Sequence, residues 1–203
     1  MPDEITIKDD GKKFTPCPEG SQHAVCVDVI DLGETMESYM GGAPEKKGKL
    51  VLVFQTDEEN PETGKRFEPS IEFTASFGPK ANLRKFLGNW RGKPYTDEEA
   101  QQAGAPLHKL VGVNAILNIQ HKTSGAGRVY AIIASIAPLM KNMAKIVPNG
   151  YARSEHWAKR RDEYARLVAA HQGNAVAAAV AGPPNFGEMP EPLQPEDDDL
   201  PFN

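Results

Sequence analysis

Basic side chains gather at three places along the chain where turn-forming residues also collect. Lysine and arginine bind the phosphate oxygens of nucleic acids, so clusters of them on loops can hold a nucleic-acid backbone. The three clusters are Lys46, Lys47 and Lys49; Lys65 and Arg66; and Lys122 and Arg128. A single surface lysine carries little information, but the grouping in three predicted loops favours nucleic-acid binding over a merely solvated surface.

Aromatic side chains on the same surface would supply stacking platforms for bases, each worth about 1–3 kcal/mol. Tyr130, on a predicted strand, and Tyr39, in the first long loop, are the residues expected to point outward. The aromatic residues that fit the periodicity of a buried face are expected in the core: Phe73, Phe77, Phe86 and Trp90. Glu68 and Glu72 are predicted to point outward on the third strand, where they would repel phosphates and make binding modest and salt-sensitive.

No arrangement of residues in the sequence indicates catalysis or a metal. Cys17, His23 and Cys26 lie close together in the sequence, but a structural zinc site needs four ligands and usually a paired CxxC. The chain contains no GxxxxGK[ST] phosphate loop and no glycine fingerprint after a strand. The acidic run at 57–59 falls in a predicted turn, which favours a solvated loop over a two-metal nuclease centre. We therefore predict no catalytic residue, no metal and no cofactor.

Five segments have the composition of β-strands, and the connections between them indicate how they pair. The first alternates with the period of a half-buried strand, whereas the second is apolar on both faces. The segments are 21–33, 49–56, 67–77, 109–121 and 128–136. The second and third are joined by DEENPETGKR and the fourth and fifth by KTSGAG. Both connections are rich in turn-forming residues and predict antiparallel hairpins.

The connection between the third and fourth strands is predicted to be helical. Pro79 can begin a helix, and Thr96 begins a second one, with Glu99 placed to close a capping box. An apolar stripe follows the first start, formed by Leu83, Phe86, Leu87 and Trp90. The resulting order of elements is that of an OB-fold, a mainly β, five-stranded Greek-key barrel that binds oligonucleotides through its second and third strands and flanking loops. A generic five-stranded α+β domain is the alternative.

Beyond the predicted barrel, the sequence changes character twice. A helix is expected from the N-cap Ser154 to Gly173, and the Pro-rich acidic stretch that follows cannot bury enough apolar area to fold. From Gly182 onward the sequence contains six acidic residues and no Lys or Arg, so this stretch has a net charge of −6. Because the whole chain has a net charge of −5, the rest of it carries +1. The predicted organisation is a barrel domain at 1–140, a linker and C-terminal helix at 141–173, and a disordered acidic tail at 174–203.

The overall composition predicts a soluble cytoplasmic protein without a membrane partner. The first residues, MPDEITIKDD, contain acids and no apolar run, unlike a secretory signal or a transit peptide. No apolar stretch approaches the ~18 residues of a membrane span. The two cysteines are too few for a disulfide framework, which is typical of a reducing compartment.

The chain ends in DDDLPFN, and DDDLPF resembles the acidic tip of bacterial single-stranded DNA-binding proteins, which in that family docks onto replication and repair proteins. The resemblance implies that the three aspartates meet basic residues of a partner and that the three apolar residues fill a pocket. These residues are Asp197, Asp198, Asp199, Leu200, Pro201 and Phe202. The sequence departs from that family in Asn203, because there the final Phe carries the terminal carboxylate that the partner also binds.

Three segments of the body resemble a family of bacteriophage-encoded OB-fold single-stranded DNA-binding proteins over roughly residues 12–140. They are PEGSQHAVCVDVIDLG, NLRKFLGNWRGKPYTDEEA and KLVGVNAILNIQH. The resemblance implies a protein that coats single-stranded DNA without strong sequence preference during phage DNA replication, recombination or repair, in the host cytoplasm. Its tip would recruit replication or recombination proteins, and a homo-oligomer is compatible with this role. The alternatives are an adaptor that mimics the host tail while its barrel binds protein, and a nuclease subunit.

Overall fold

The chain folds around one antiparallel β-sheet of five strands. The computed structural model describes residues 15–38, 41–102 and 104–181. The strands are β1 (Gly20–Glu37), β2 (Glu45–Thr56), β3 (Ser70–Thr74), β4 (Asn114–Thr123) and β5 (Val129–Pro138). Their order across the sheet is β3-β2-β1-β4-β5, so β1 is central and β3 and β5 form the edges. The five predicted strands and the two predicted antiparallel hairpins are confirmed.

Helices connect and follow the strands. They are α1 (Asn82–Arg91), α2 (Asp97–Gln102) and α3 (Glu155–Ala181), and a 3-10 helix at Leu107–Leu110 precedes β4. At the start of α2 the Thr96 amide donates to Glu99 Oε2 at 3.0 Å, and the Glu99 amide donates to Thr96 Oγ1 at 3.2 Å. This reciprocal pair is the predicted capping box. Within the described residues, no helix has both the length and the hydropathy that a membrane span requires.

The C-terminal helix is longer than the sequence predicted. It begins directly after Ser154, as expected, but it continues through Gly173 to Ala181. One glycine in a helix costs only about 1 kcal/mol relative to alanine, and the alanine-rich sequence after it has the highest helix propensity. The prediction that Gly173 ends the helix was therefore wrong, and residues 174–181 belong to α3.

The inner face of the sheet packs against α1 in an aromatic cluster. The Phe54 ring of β2 lies 5.3 Å from Trp90 and 6.4 Å from Phe86, and Phe86 lies 5.0 Å from Phe73 of β3, measured between ring centroids. Since α1 also contacts β5, the helix covers the gap between the two edge strands. The expected core positions of Phe73, Phe86 and Trp90 are confirmed, whereas Phe77 is only half-buried.

The central strands are also buried on their outer face, which the alternation of β1 did not predict. Val25, Val27, Val51 and Val53 form a second apolar cluster there with Tyr164 of α3. Two irregularities in the β1–β2 register, between Cys26 and Asp28 and between Asp31 and Gly33, shift which side chains face which layer. The prediction of a half-buried β1 was therefore wrong, because its apolar residues divide between two cores.

The segment that covers the outer face is residues 146–153, here called the strap, together with the first turns of α3. Its main chain is held by two side-chain amides of the sheet. Asn114 Nδ2 donates to the Ile146 carbonyl at 3.0 Å, and the Ile146 amide donates back to Asn114 Oδ1 at 2.9 Å. Gln55 makes the same exchange with Asn149, at 2.9 and 2.7 Å. Each side chain thus pairs with the strap as a neighbouring strand would.

Replacing Phe54 by Ala should lower the free energy of unfolding by about 3–5 kcal/mol, because the ring is fully buried between β2 and α1. The measurement is urea denaturation followed by tryptophan fluorescence. Phe77→Ala provides the control. Because Phe77 is only half-buried, its replacement should lower the free energy of unfolding clearly less. Equal losses for the two variants would contradict the assignment of the main core.

Candidate nucleic-acid interface

The β2–β3 and β4–β5 hairpins lie at the same end of the sheet. Ala24, near the start of β1, pairs with Thr56 at the end of β2, and Gly20 pairs with Ile119 near the end of β4. The connections that follow β2 and β4 therefore leave the sheet at the end where β1 begins. Two of the three predicted basic clusters therefore belong to connections at this end of the sheet: Lys65 and Arg66, and Lys122 and Arg128.

A groove of about 470 Å³ lies between the two hairpins. Lys65 and Arg66 line one side, and Tyr130 of β5 lines the other. Tyr130 is 41% exposed, which confirms the predicted outward position. The wall also includes the polar side chains of Thr15, Asn60, Thr63 and Ser70, the carboxylate of Glu68, and Gly150 and Ala152. The groove therefore combines fixed positive charge, hydrogen-bonding groups and one aromatic face.

Tight turns present the basic residues of both hairpins. In the β2–β3 hairpin, the Asn60 amide donates to the Lys65 carbonyl at 2.7 Å, and Gly64 adopts a left-handed φ of 64°. In the β4–β5 hairpin, the Ser124 amide donates to the Arg128 carbonyl at 2.9 Å, and the Arg128 amide donates to Ser124 Oγ at 3.1 Å. Because the turns close on themselves, the Lys65 and Arg128 side chains remain exposed.

Arg66 is placed differently from its neighbour. Its Nη1 donates to the Val147 carbonyl of the strap at 2.8 Å, and its buried Nε has no hydrogen-bond partner among the described residues. A guanidinium has five N–H donors, so the contact with the strap leaves donors for an anion in the groove. Arg66 thus links the groove to the segment that covers the outer face.

The third predicted basic cluster does not join this site. Lys46, Lys47 and Lys49 lie inside β2 rather than in a loop, so that part of the prediction was wrong. Their ammonium groups pair with Glu34, Glu45 and Glu37 respectively, and Lys49 is buried. With a rise of about 3.3 Å per residue, Lys47 lies ~30 Å from the end of β2 where the hairpin begins. The positive charges of these lysines are therefore largely neutralised by neighbouring glutamates.

The outer face of β2 and β3 is acidic and covered. Glu72 points outward as predicted, but the Tyr164 hydroxyl donates to it at 2.6 Å and Arg160 lies 3.8 Å away. Burial, together with this hydrogen bond, raises the pKa of Tyr164 to about 12. Glu68 precedes β3 rather than lying on it, is exposed, and accepts a hydrogen bond from Gln55 at 3.2 Å. A nucleic acid therefore has no free access to the outer face of β2 next to Glu72.

Asp28 is the second carboxylate of this face, and the strap neutralises it. Arg153 donates to its two oxygens at 2.7 Å each, and the Tyr151 hydroxyl donates at 2.8 Å. Burial alone would raise the pKa of Asp28, but the hydrogen bonds from Arg153 and Tyr151 outweigh it and hold the pKa below its ordinary value. The carboxylate thus stays charged and fixes the end of the strap.

His23 and the two cysteines have structural positions. His23 is buried, and its Nε2 lies 2.9 Å from Asn114 Oδ1, an oxygen that also accepts from the Ile146 amide. Burial raises the pKa of Cys17, with a contribution from Glu58, and that of Cys26 to about 12, so both thiols stay protonated. Within the described part of the chain, no three His, Cys, Asp or Glu residues are grouped to hold a metal ion.

Some predicted site residues lie outside the described residues. They are Tyr39 and the tip, Asp197, Asp198, Asp199, Leu200, Pro201 and Phe202. Conversely, Gln55 and Asn114, which anchor the strap, are not among the residues predicted from the sequence. The available signal was a buried-strand pattern interrupted by an amide, in KLVLVFQT and KLVGVNAILNIQH, since an amide in a buried strand needs a hydrogen-bond partner.

No protein-family model matches the chain, and no curated protein matches it. The function is therefore inferred from the geometry of the site and from the sequence motifs.

Replacing Asp28 by Asn should destabilise the protein by about 1–3 kcal/mol at pH 7, because charge-assisted hydrogen bonds to Arg153 and Tyr151 are lost. The loss stays below that of a fully buried pair, since the Arg153 side chain is 56% exposed. The pKa of Asp28 is lower in the folded state than in the unfolded state, where it is about 3.9. The charged carboxylate therefore stabilises the fold fully at pH values above about 3.9, and this stabilisation is lost as the pH falls through the folded pKa.

Urea denaturation at pH 7 and at pH 3 measures this effect, and the difference between wild type and variant should narrow at pH 3. Asp162→Asn, an exposed position on α3, is the matched control and should change the unfolding free energy by less than about 0.5 kcal/mol. A pH-independent difference for Asp28→Asn would contradict a charged strap anchor.

Proposed function

We propose that this protein binds single-stranded DNA in the groove between the β2–β3 and β4–β5 hairpins. The observation that carries the proposal is the convergence of Lys65 and Arg66 with Tyr130 around one groove, beside Lys122 and Arg128. Cations that contact phosphates and an aromatic ring that stacks on a base are the two elements of single-strand binding without sequence preference. The interface proposed here leaves out Lys46, Lys47 and Lys49.

We further propose that the sheet is an OB-fold barrel. Two observations support it: the order β3-β2-β1-β4-β5 is that of the five-stranded barrel unrolled between its third and fifth strands, and α1 contacts both of those edges. In such barrels the hairpin between the fourth and fifth strands borders the ligand site. The basic residues Lys122 and Arg128 of this chain belong to that hairpin.

The resemblance of the body and tip to single-stranded DNA-binding proteins supports the same function, in phage DNA replication, recombination or repair. Under this proposal, the tip Asp197–Phe202 recruits a replication or recombination protein. The adaptor alternative differs in one respect that can be measured, since it requires the tip to bind a partner but the body to bind no DNA.

The proposal predicts that fluorescently labelled oligo-dT binds the full chain at low salt, and that affinity falls as salt rises because bound counterions are released. An anisotropy titration at two salt concentrations measures both. Lys122→Glu with Arg128→Glu should weaken binding and reduce the salt slope by roughly 1.4, about 0.7 for each lost phosphate contact. Tyr130→Ala should cost about 1–3 kcal/mol of binding free energy.

Lys46→Glu with Lys47→Glu is the matched control, because it makes the same change of charge at the other end of β2. It should alter binding much less than the hairpin variant. If the two double variants weakened DNA binding equally, binding would depend on the net charge of the protein alone, and the placement of the site would be overturned. Absence of any binding by the wild type at low salt would overturn the function and favour the adaptor.

Two variants of the tail separate charge from docking. Deleting residues 196–203 removes four acids and should raise DNA affinity, because these charges compete with phosphates for the basic groove within a Debye length of ~8 Å. Phe202→Ala keeps every charge and should leave DNA affinity unchanged while weakening capture of partners from host lysate. Capture of the same proteins by wild type and both variants would contradict a docking role for the tip.

A further inference from the structure

The outer face of β4 and β5 is open, in contrast to the outer face of β1 and β2. Leu117 and Ile119 of β4 are buried on the inner face, so the residues that alternate with them point outward. Three of these, Asn118, Gln120 and Lys122, are exposed. The strap meets β4 at Asn114, the first residue of the strand, whose side-chain amide exchanges hydrogen bonds with Ile146.

The partners of these residues on β5 extend the open surface. Asn118 pairs with Ser135, Gln120 with Ile132, and Lys122 with Tyr130. A register shift after Asn118 leaves Ala134 without a pairing partner on β4. As a result, Ile133 and Ile136 are both buried on the inner face. The outer face of β5 carries Ser135, Ile132 and Tyr130. The result is a two-strand row of two amides, one lysine, one serine, one isoleucine and one aromatic ring.

The charge of this row differs from that of the covered half of the sheet. Lys122 is its only charged residue, whereas the face of β1 to β3 carries Asp28 and Glu72. Tyr130 belongs both to the row and to the groove between the hairpins, so the two surfaces are continuous. At the other end, the row reaches a second groove where Asp57 and Glu58 lie beside Ile116 and Ala137. A phosphate backbone is attracted at the first end and repelled at the second.

We infer that single-stranded DNA leaves the hairpin groove over Tyr130 and runs along the outer face of β4 and β5, rather than over β2 and β3. This inference rests on the proposed function and adds the path of the strand. Asn118 and Gln120 donate to and accept from the edges of unstacked bases, Tyr130 stacks on a base, and Lys122 contacts a phosphate. The path from Lys122 to Asn118 spans four residues, about 13 Å, and ends before the acidic groove.

The test introduces negative charge into the row without a change of shape. Asn118→Asp with Gln120→Glu should weaken oligo-dT binding by the full chain about tenfold, because two carboxylates then face the phosphates. Both side chains are exposed, so the fold tolerates the change. Gln101→Glu with Gln102→Glu adds the same two charges on α2, where both glutamines are also exposed, and should change binding less than about twofold.

A second pair of variants separates lost contacts from repulsion. Asn118→Ala with Gln120→Ala should weaken binding about threefold, and the loss should persist at high salt, where the charge effect of the acidic variants is screened. Amide NMR shifts on addition of oligo-dT should map to Asn118–Lys122 and Val129–Ile132 and leave Val51, Val53 and Glu72 unchanged.

The outcomes distinguish the path from the function. If the wild type binds oligo-dT while the row variants bind like the α2 control, single-strand binding stands and the path is wrong. Shifts confined to the face of β2 and β3 would also overturn the path. If the wild type does not bind at low salt, the function fails and the path fails with it.

Discussion

The arrangement of the outer surface depends on two side-chain amides, Asn114 and Gln55, that hold the main chain of the strap. A buried amide is costly unless both its donor and its acceptor are used. Each of these amides satisfies that requirement by pairing with one strap residue, Ile146 or Asn149. Because the contacts are to backbone, they specify where the strap runs largely independently of its side chains, and His23 adds a further contact to the Asn114 oxygen.

The strap divides the sheet into two halves of different chemistry. Over β1 to β3 it buries four valines and, with α3, brings Arg153 and Arg160 to carboxylates that would otherwise face water. Over β4 and β5 the side chains of Asn118, Gln120, Lys122 and Tyr130 stay exposed. Under the proposed function, this division would direct single-stranded DNA away from the middle of the sheet and toward the end where the two hairpins lie. Arg66 stands at the boundary, since it contacts the strap and lines the groove.

The basic residues illustrate why position along a sheet matters more than their number. Lys46, Lys47 and Lys49 are as dense in the sequence as the hairpin residues, yet β2 places them opposite the glutamates of β1 and of their own strand. The exposed pairs made by Lys46 and Lys47 contribute at most about 1 kcal/mol each to stability. Their larger effect is to neutralise the local potential, whereas Lys65, Lys122 and Arg128 stay exposed on the two hairpins, although the β2–β3 hairpin also carries Asp57, Glu58, Glu59 and Glu62.

The sequence by itself determined the number and type of elements: alternation marks each strand, turn chemistry marks both hairpins, and the capping box at Thr96 marks α2. Local chemistry decides these features, so local patterns reveal them. Only the tertiary structure decided which face of each strand is buried, because the register shifts of β1 arise in its pairing with β2, and the strap reaches Asp28 from 123 and 125 residues further along the chain. The same holds for the site. The sequence identified Lys65, Arg66, Lys122, Arg128 and Tyr130, but their convergence, and the separation of Lys46, Lys47 and Lys49 from them, follow from strand pairing across the whole sheet.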